Sequence, residues 1–268
     1  YRGALNKILS LSPQQRKKGV IAMSAGNHAQ GVSRACKLLK TKAIIVMPNN
    51  TPFEKIRRNL ELGAKVEIYG DNVLESEKYV NQLIKKHGYN KIHPFDDMHV
   101  IAGQGTIGME IIRQMSEPID AIFIAVGGGG LISGIGCYIK SIKPDIKIIG
   151  VQTTDSDAMI RSIENGKRIK LKHVGIFSDG TAVKQVGAET FKLAKIVVDD
   201  FCIVSADEIC AATRDIFEDT RTIQEPAGAM ALAGLKKYLL ANGNKQKLDN
   251  LVAITCGANV NFDRLRII

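Results

Sequence analysis

Four apolar residues, Val20-Ile21-Ala22-Met23, run through Ser24-Ala25-Gly26-Asn27-His28 into a stretch from Ala29 to Leu39 with apolar side chains at helical spacing. The first run reads as a buried strand and the last as a helix, so the small residues between them form a tight strand-to-helix turn. Such a turn presents backbone N–H groups at a helix start, which suits an anion such as a carboxylate. Gly26 removes bulk, and the Asn27 amide both donates and accepts hydrogen bonds. A second small-residue turn, Gly127-Gly128-Gly129-Gly130, follows the strand-like Ala121 to Val126 and precedes Leu131-Ile132-Ser133. Two anion cradles in one chain imply a ligand with two anionic ends.

The strand-then-helix step repeats along the chain. Strands are expected near 20–24, 43–47, 65–69 and 90–93, with helices near 28–39, 53–62 and 73–87. A second series has strands near 121–126, 147–152, 201–204 and 251–255, covered by helices near 100–115, 131–142, 206–220 and 227–241. This alternation predicts an α/β protein of two three-layer α/β/α units with mainly parallel sheets. Pro52 marks a helix start and Gly63 a stop, with Ile56, Leu60 and Leu62 expected to face the sheet. The pattern breaks around His93 to Asp97, which divides a small domain, 1–95, from a large one, 96–268. Between Thr153 and Ala188 the signal is weak, and irregular structure is expected. Ligands of open α/β sheets sit at the carboxyl ends of strands, so the ligand is expected between the two units.

Composition excludes several classes. The chain has 268 residues, 45% hydrophobic and 24% charged, enough for one large core or two modest ones. No apolar run approaches the roughly 20 residues needed to span a bilayer, and no secretory signal is evident, so neither membrane nor export is expected. The five cysteines are odd in number and scattered, with no C-x-x-C pair, which argues against a disulfide framework or structural zinc. A net charge of +10 comes with lysines spread along helix-like segments and only 5% aromatic residues, which reads as a solvated surface and not a nucleic-acid face. A dinucleotide site also fits poorly. Counted from Gly128, the third glycine position of G-x-G-x-x-G holds Ser133, and the strand Ile148 to Val151 ends at Gln152 where an Asp or Glu would hold a ribose.

Ser24 to Gly31, the tetraglycine turn, Glu225-Pro226-Ala227-Gly228-Ala229 and Cys256-Gly257-Ala258-Asn259-Val260-Asn261-Phe262 occur in the order of the pyridoxal-phosphate-dependent amino acid dehydratases, which the chain resembles from Tyr1 to Ile268. Phe177 to Lys184 and Phe217 to Arg221 look most like the biosynthetic threonine dehydratase branch. The resemblance implies the tryptophan synthase β-like arrangement known as fold type II, with pyridoxal 5'-phosphate as cofactor. It implies that Asn27 bonds the phenolic oxygen of the ring, and that Gly127, Gly128, Gly129, Gly130 and Leu131 hold the phosphate. It places Cys256 at the pyridine nitrogen, where many relatives carry Ser or Thr. Ser24, Ala25, Gly26 and the backbone of His28 would hold the substrate carboxylate. Glu225 falls near the cofactor. Asp179 alone is a thin basis for a cation site, and no metal is expected.

In this family a lysine forms the Schiff base with pyridoxal in a lysine-x-Arg-Gly-Ala pattern. Here Tyr1 precedes Arg2-Gly3-Ala4, so the lysine is expected one position before Tyr1, and no catalytic residue is assigned within the chain. Lys7, Lys17 and Lys18 lack that context. The chain therefore reads as the central piece of a longer polypeptide, and Leu265 to Ile268 stop where relatives continue, some into an isoleucine-sensing domain.

The implied reaction is β-elimination, in which the lysine removes the α-proton, the β-hydroxyl leaves, and L-threonine or L-serine yields a 2-oxo acid and ammonia. Threonine is favoured, which makes this the first step of isoleucine biosynthesis. Ala25 offers no proton where similar serine racemases carry a serine, so dehydration is expected over racemisation. The expected partners are an amino acid substrate and further copies of the chain, as a dimer or tetramer, in the cytoplasm or in an organelle of a eukaryote. The alternatives are a serine racemase or serine dehydratase-like enzyme, and a lysine-less ligand-binding relative.

Overall fold

The computed structural model describes residues 1–242 and 248–260, and its contacts gather into two units, Tyr1–Gly103 and Gln104–Ile268. Asn261, Phe262 and Leu265 to Ile268 lie outside the described residues.

The first unit holds α1 (Arg2–Ser10), α2 (Pro13–Lys18), β1 (Val20–Met23), α3 (Asn27–Leu38), β2 (Ala43–Met47), α4 (Phe53–Glu61), β3 (Lys65–Ile68), α5 (Val73–His87) and β4 (Asn90–Lys91). Its strands form one parallel sheet in the order β3-β2-β1-β4. The central strands are apolar throughout because both faces are covered. Val20, Ala22, Ala43, Ile45 and Met47 pack with Ile8 of α1 and with Ala29, Val32 and Ala35 of α3. Ile21, Ile44 and Val46 meet Val80 of α5 on the other face.

Helix α6 (Met98–Gln114) contains the division between units. The second unit continues with β5 (Ala121–Ala125), α7 (Gly130–Ile142), β6 (Lys147–Thr153), α8 (Ala158–Glu164), α9 (Ala188–Val197), β7 (Asp200–Val204), α10 (Ala206–Thr220), α11 (Pro226–Asn242) and β8 (Leu251–Ala253). Its parallel sheet has the order β7-β6-β5-β8, the same pattern as the first. Ile122, Ile124 and Ile148 pack on Ile132, Ile135 and Ile139 of α7, while Phe123, Ile149 and Val151 pack on Ile209 of α10 and Met230 of α11. The expected α/β class with parallel, helix-covered sheets is the one observed.

Three local expectations change. The stretch 153–188 contains α8, whose first-turn amides, from Met159 and Ile160, donate to the side chain of Gln152 at 3.1 and 3.0 Å. A cap delivered from the preceding strand leaves no local start signal. Leu60 is 51% exposed, and Asn59 takes the inward position, fully buried, where its Oδ1 accepts from Ser33 at 2.8 Å and its Nδ2 donates to the Lys55 carbonyl at 2.8 Å. Helices α1, α2 and α9 were not foreseen, although Ser12 and Gln15 form a capping box before α2 that was there to be read.

Gly3 and Gly103 let α1 and α6 meet backbone to backbone. A Cβ on Gly103 would stand 2.6 Å from the Gly3 Cα and 2.7 Å from the Arg2 carbonyl oxygen, neither of which can rotate away. Replacing a helical glycine by alanine normally gains up to about 1 kcal/mol of helix propensity, whereas overpacking costs about 1–3 kcal/mol. Overpacking wins here. Gly103→Ala is therefore expected to lower the urea midpoint, and a raised midpoint would show that the helices have room.

Candidate active site

In each sheet the chain moves outward from the first strand, then returns to its other side, so β1 and β5 border the point where strand order reverses. Crevices at such points, at the carboxyl ends of strands, are where open α/β sheets take ligands. Both small-residue turns leave the sheet there.

In the first unit, Ser24 follows β1 and its N–H donates to the Val46 carbonyl at 3.2 Å, while its hydroxyl accepts from the Gly26 N–H at 3.2 Å. Helix α3 then starts at Asn27 with no side-chain cap, and Asn27 is exposed. Among the described residues nothing lies within 4 Å of where a Cβ on Gly26 would stand, so the turn has open space before it. His28 bonds through Nε2 to the Ile92 carbonyl at 2.9 Å. A carbonyl only accepts, so Nε2 carries the proton. Burial lowers the His28 pKa to about 4, against the smaller opposing pull of the Ile92 carbonyl, and the ring is neutral at physiological pH. The backbone nitrogen of Tyr1 lies against α3, where a Cβ on Gly31 would approach it to 3.0 Å.

In the second unit, Gly128, Gly129 and Gly130 are buried at the start of α7, again with no side-chain cap. Gly129 has φ 95°, the left-handed region, and a Cβ there would stand 2.6 Å from Met159 Cε and 2.9 Å from Thr190 Cβ. The Gly128 carbonyl is tied back by the Thr190 hydroxyl at 2.6 Å and the Gly187 N–H at 3.4 Å. Gly127 lies against the Thr181 backbone, with a virtual Cβ only 3.0 Å from the Thr181 Cα. Thr181 is held in turn by the Ser156 hydroxyl, which donates to its carbonyl at 3.1 Å. Gln152 is saturated: besides capping α8, its Nε2 donates to the Val126 and Ser156 carbonyls at 3.0 and 3.1 Å. The residue that departs from the dinucleotide pattern thus braces the end of β5.

The neighbouring strand β8 leads to Cys256, whose N–H donates to the Gly228 carbonyl at 3.4 Å. The residue as a whole is exposed, yet burial of the thiol by the surrounding protein, and after it the negative Glu225, push its pKa up to about 11. Asp179 is exposed, and no group of three or more His, Cys, Asp or Glu able to hold a metal occurs among the described residues.

The structure thus gathers Ser24 to His28 in one turn of the first unit. It gathers Gly127 to Leu131 with Cys256 at adjacent strand ends of the second. Thr190, which positions the glycine turn, carries no sequence signal, while Gln152 stands out only as a departure from the dinucleotide pattern and Thr181 only within the Phe177 to Lys184 stretch. Thr190 is 62 residues from the carbonyl that it holds, and no local pattern announces it. A buried helix start with no side-chain cap calls for a ligand acceptor, and a phosphate supplies it. Within the same unit, the Cys256 thiol near the end of the neighbouring strand suits a polar atom of a pyridine ring. The glycine turn and Cys256 of the second unit fit pyridoxal phosphate.

Comparison with known proteins agrees on the cofactor. A family model described as pyridoxal-phosphate dependent enzyme matches residues 1–257. The mitochondrial threonine dehydratase of Schizosaccharomyces pombe is 53% identical over all of this chain, which covers 45% of that protein. The processed form of threonine deaminase isoform 2 from Solanum lycopersicum superposes with a TM-score of 0.96 at 45% identity, covering 99% of this chain and 77% of that one. Serine racemase from Dictyostelium discoideum gives a TM-score of 0.89 at 35% identity, covering 97% and 83%. The chain spans about half the length of the curated relatives that it matches.

The neutral His28 has a consequence for acid stability. Between its folded pKa of about 4 and its ordinary 6.5, the unfolded chain binds a proton that the folded one does not, so its share of stability is complete above 6.5 and lost as pH falls toward 4. His28→Gln should show a smaller drop in urea midpoint between pH 7 and pH 5 than the unsubstituted chain. Parallel drops would show that folding does not lower the His28 pKa.

Proposed function

The chain belongs to the pyridoxal-phosphate-dependent enzyme family, and from that premise we propose that it is the catalytic part of a threonine dehydratase. Its reaction converts L-threonine, and L-serine as a lesser substrate, to 2-oxobutanoate or pyruvate and ammonia, the first step of isoleucine biosynthesis. The observation that carries the reading is the buried, uncapped start of α7 behind β5, in a chain 53% identical along its whole length to a threonine dehydratase.

Gly127 to Leu131 would hold the cofactor phosphate through backbone amides, with Thr190 and Thr181 keeping the turn in place. The Asn27 amide would bond the phenolic oxygen. Ser24, Ala25, Gly26 and the His28 backbone would receive the substrate carboxylate. When bound, pyridoxal phosphate supplies an aldehyde for the substrate amine and a ring that draws electrons from the α-carbon. Cys256, a neutral thiol, would serve the pyridine nitrogen without protonating it, which favours prompt loss of a β-substituent over transamination. Ala25 has no proton to deliver to the α-carbon, which weighs against the serine racemase reading.

A lysine immediately before Tyr1 would remove the α-proton. Its support is the Arg2-Gly3-Ala4 pattern and the Tyr1 nitrogen, which lies against Gly31 of α3. The same reading makes the parent protein a homo-oligomer of the cytoplasm or, as the mitochondrial relative suggests, of an organelle. No described helix is long and apolar enough to cross a membrane.

Full-length protein given L-threonine and L-serine separately should release 2-oxo acid faster from threonine, and equal or absent threonine turnover would overturn the assignment. Asn27→Ala should cost about ten- to hundredfold in kcat/KM, the worth of a hydrogen bond to a charged group at about 1.5–3 kcal/mol.

A further inference from the structure

Glu225 is 5% exposed, an unusual place for a carboxylate. A buried charge is tolerated where donors meet it, and here one donor comes from the turn after β8. The Asn259 N–H donates to Oε2 at 2.9 Å. In the opposite direction, the Glu225 N–H donates to the Gly257 carbonyl at 3.0 Å. Between these two bonds Gly257 adopts φ 90°, and a Cβ at that position would run into the Glu225 carboxylate. The Glu225 carbonyl meanwhile accepts from the Gly228 and Ala229 N–H groups at 2.7 and 3.2 Å, which fixes it to the first turn of α11. One residue therefore ties a rigid helix start to both sides of the turn that carries Cys256.

We propose that Glu225 is the positioning residue for Cys256, its carboxylate and main chain together clasping the turn that follows β8. The bland alternative is that Glu225 merely complements the helix dipole of α11. That role needs no bond to Asn259 and no left-handed glycine opposite the carboxylate, and both are present. The clasp has an electrostatic consequence, because among the described residues the Glu225 carboxylate bears on the thiol and raises its pKa further than burial by the surrounding protein alone does. The sulfur stays a neutral thiol that can donate or accept a weak hydrogen bond. That Cys256 serves the cofactor ring rests on the function proposed above. The clasp and its effect on the thiol do not.

The test uses the full chain without cofactor or substrate. Glu225→Gln keeps an acceptor for Asn259 and removes the charge, whereas Glu225→Ala removes both. Alkylation of Cys256 by iodoacetamide, followed on its own peptide by mass spectrometry between pH 8 and 9, should be about three- to tenfold faster in Glu225→Gln. One pKa unit changes the thiolate fraction tenfold, and reduced nucleophilicity of the more acidic thiol offsets part of the gain. Hydrogen exchange at the Asn259 amide should quicken in Glu225→Ala and stay protected in Glu225→Gln. Unchanged alkylation in Glu225→Gln would overturn the proposal, and so would Asn259 protection that survives in a folded Glu225→Ala. If Glu225→Ala does not fold, the alkylation profile of Glu225→Gln decides alone. Neither readout needs turnover, so a failure here is distinct from a failure of the threonine assignment.

Discussion

The start of α7 is buried with no side chain among the described residues to receive its first amides, and much of the second unit is arranged to keep it that way. A buried N–H without an acceptor costs about 1–3 kcal/mol, and a helix start leaves several such groups together. Among the described residues none supplies a cap. The surrounding ones pull the carbonyl side of the turn away instead, through Thr190 and Gly187 on Gly128, and wall its flank with the Thr181 backbone. A fold that braces an electropositive backbone site instead of capping it is set up to receive an anion.

The repeated strand order makes this arrangement geometrically simple. Each sheet begins with the strand that ends up beside its reversal point, so the loop after that strand meets no neighbouring crossover and can turn sharply into a helix. Small residues serve the same end at other levels. Gly3 and Gly103 bring two helices to backbone contact, and Gly257 makes room for a buried carboxylate. In each case the missing side chain is used to bring polar or main-chain atoms together at a distance that a methyl group would forbid.

Much of this was legible in the sequence because α/β proteins encode it locally. Val20 to Met23 and Ala121 to Val126 are apolar without alternation, since helices cover both faces, and the glycine-rich turns follow directly. What was not legible depends on contacts far apart in sequence. The cap of α8 comes from Gln152 on a strand, and the bond that fixes Gly128 comes from Thr190. Leu60 and Asn59 exchanged roles because Ser33 and the Lys55 carbonyl satisfy an asparagine that periodicity alone would have left outside.

Amide NMR of the labelled chain during titration with inorganic phosphate tests the central claim most directly. The Gly128 to Leu131 amides should shift together in one saturable transition, while those at the start of α10, already capped by Ser205 and Glu208, should stay in place. Equal shifts at both helix starts, or none at the glycine turn, would contradict the account.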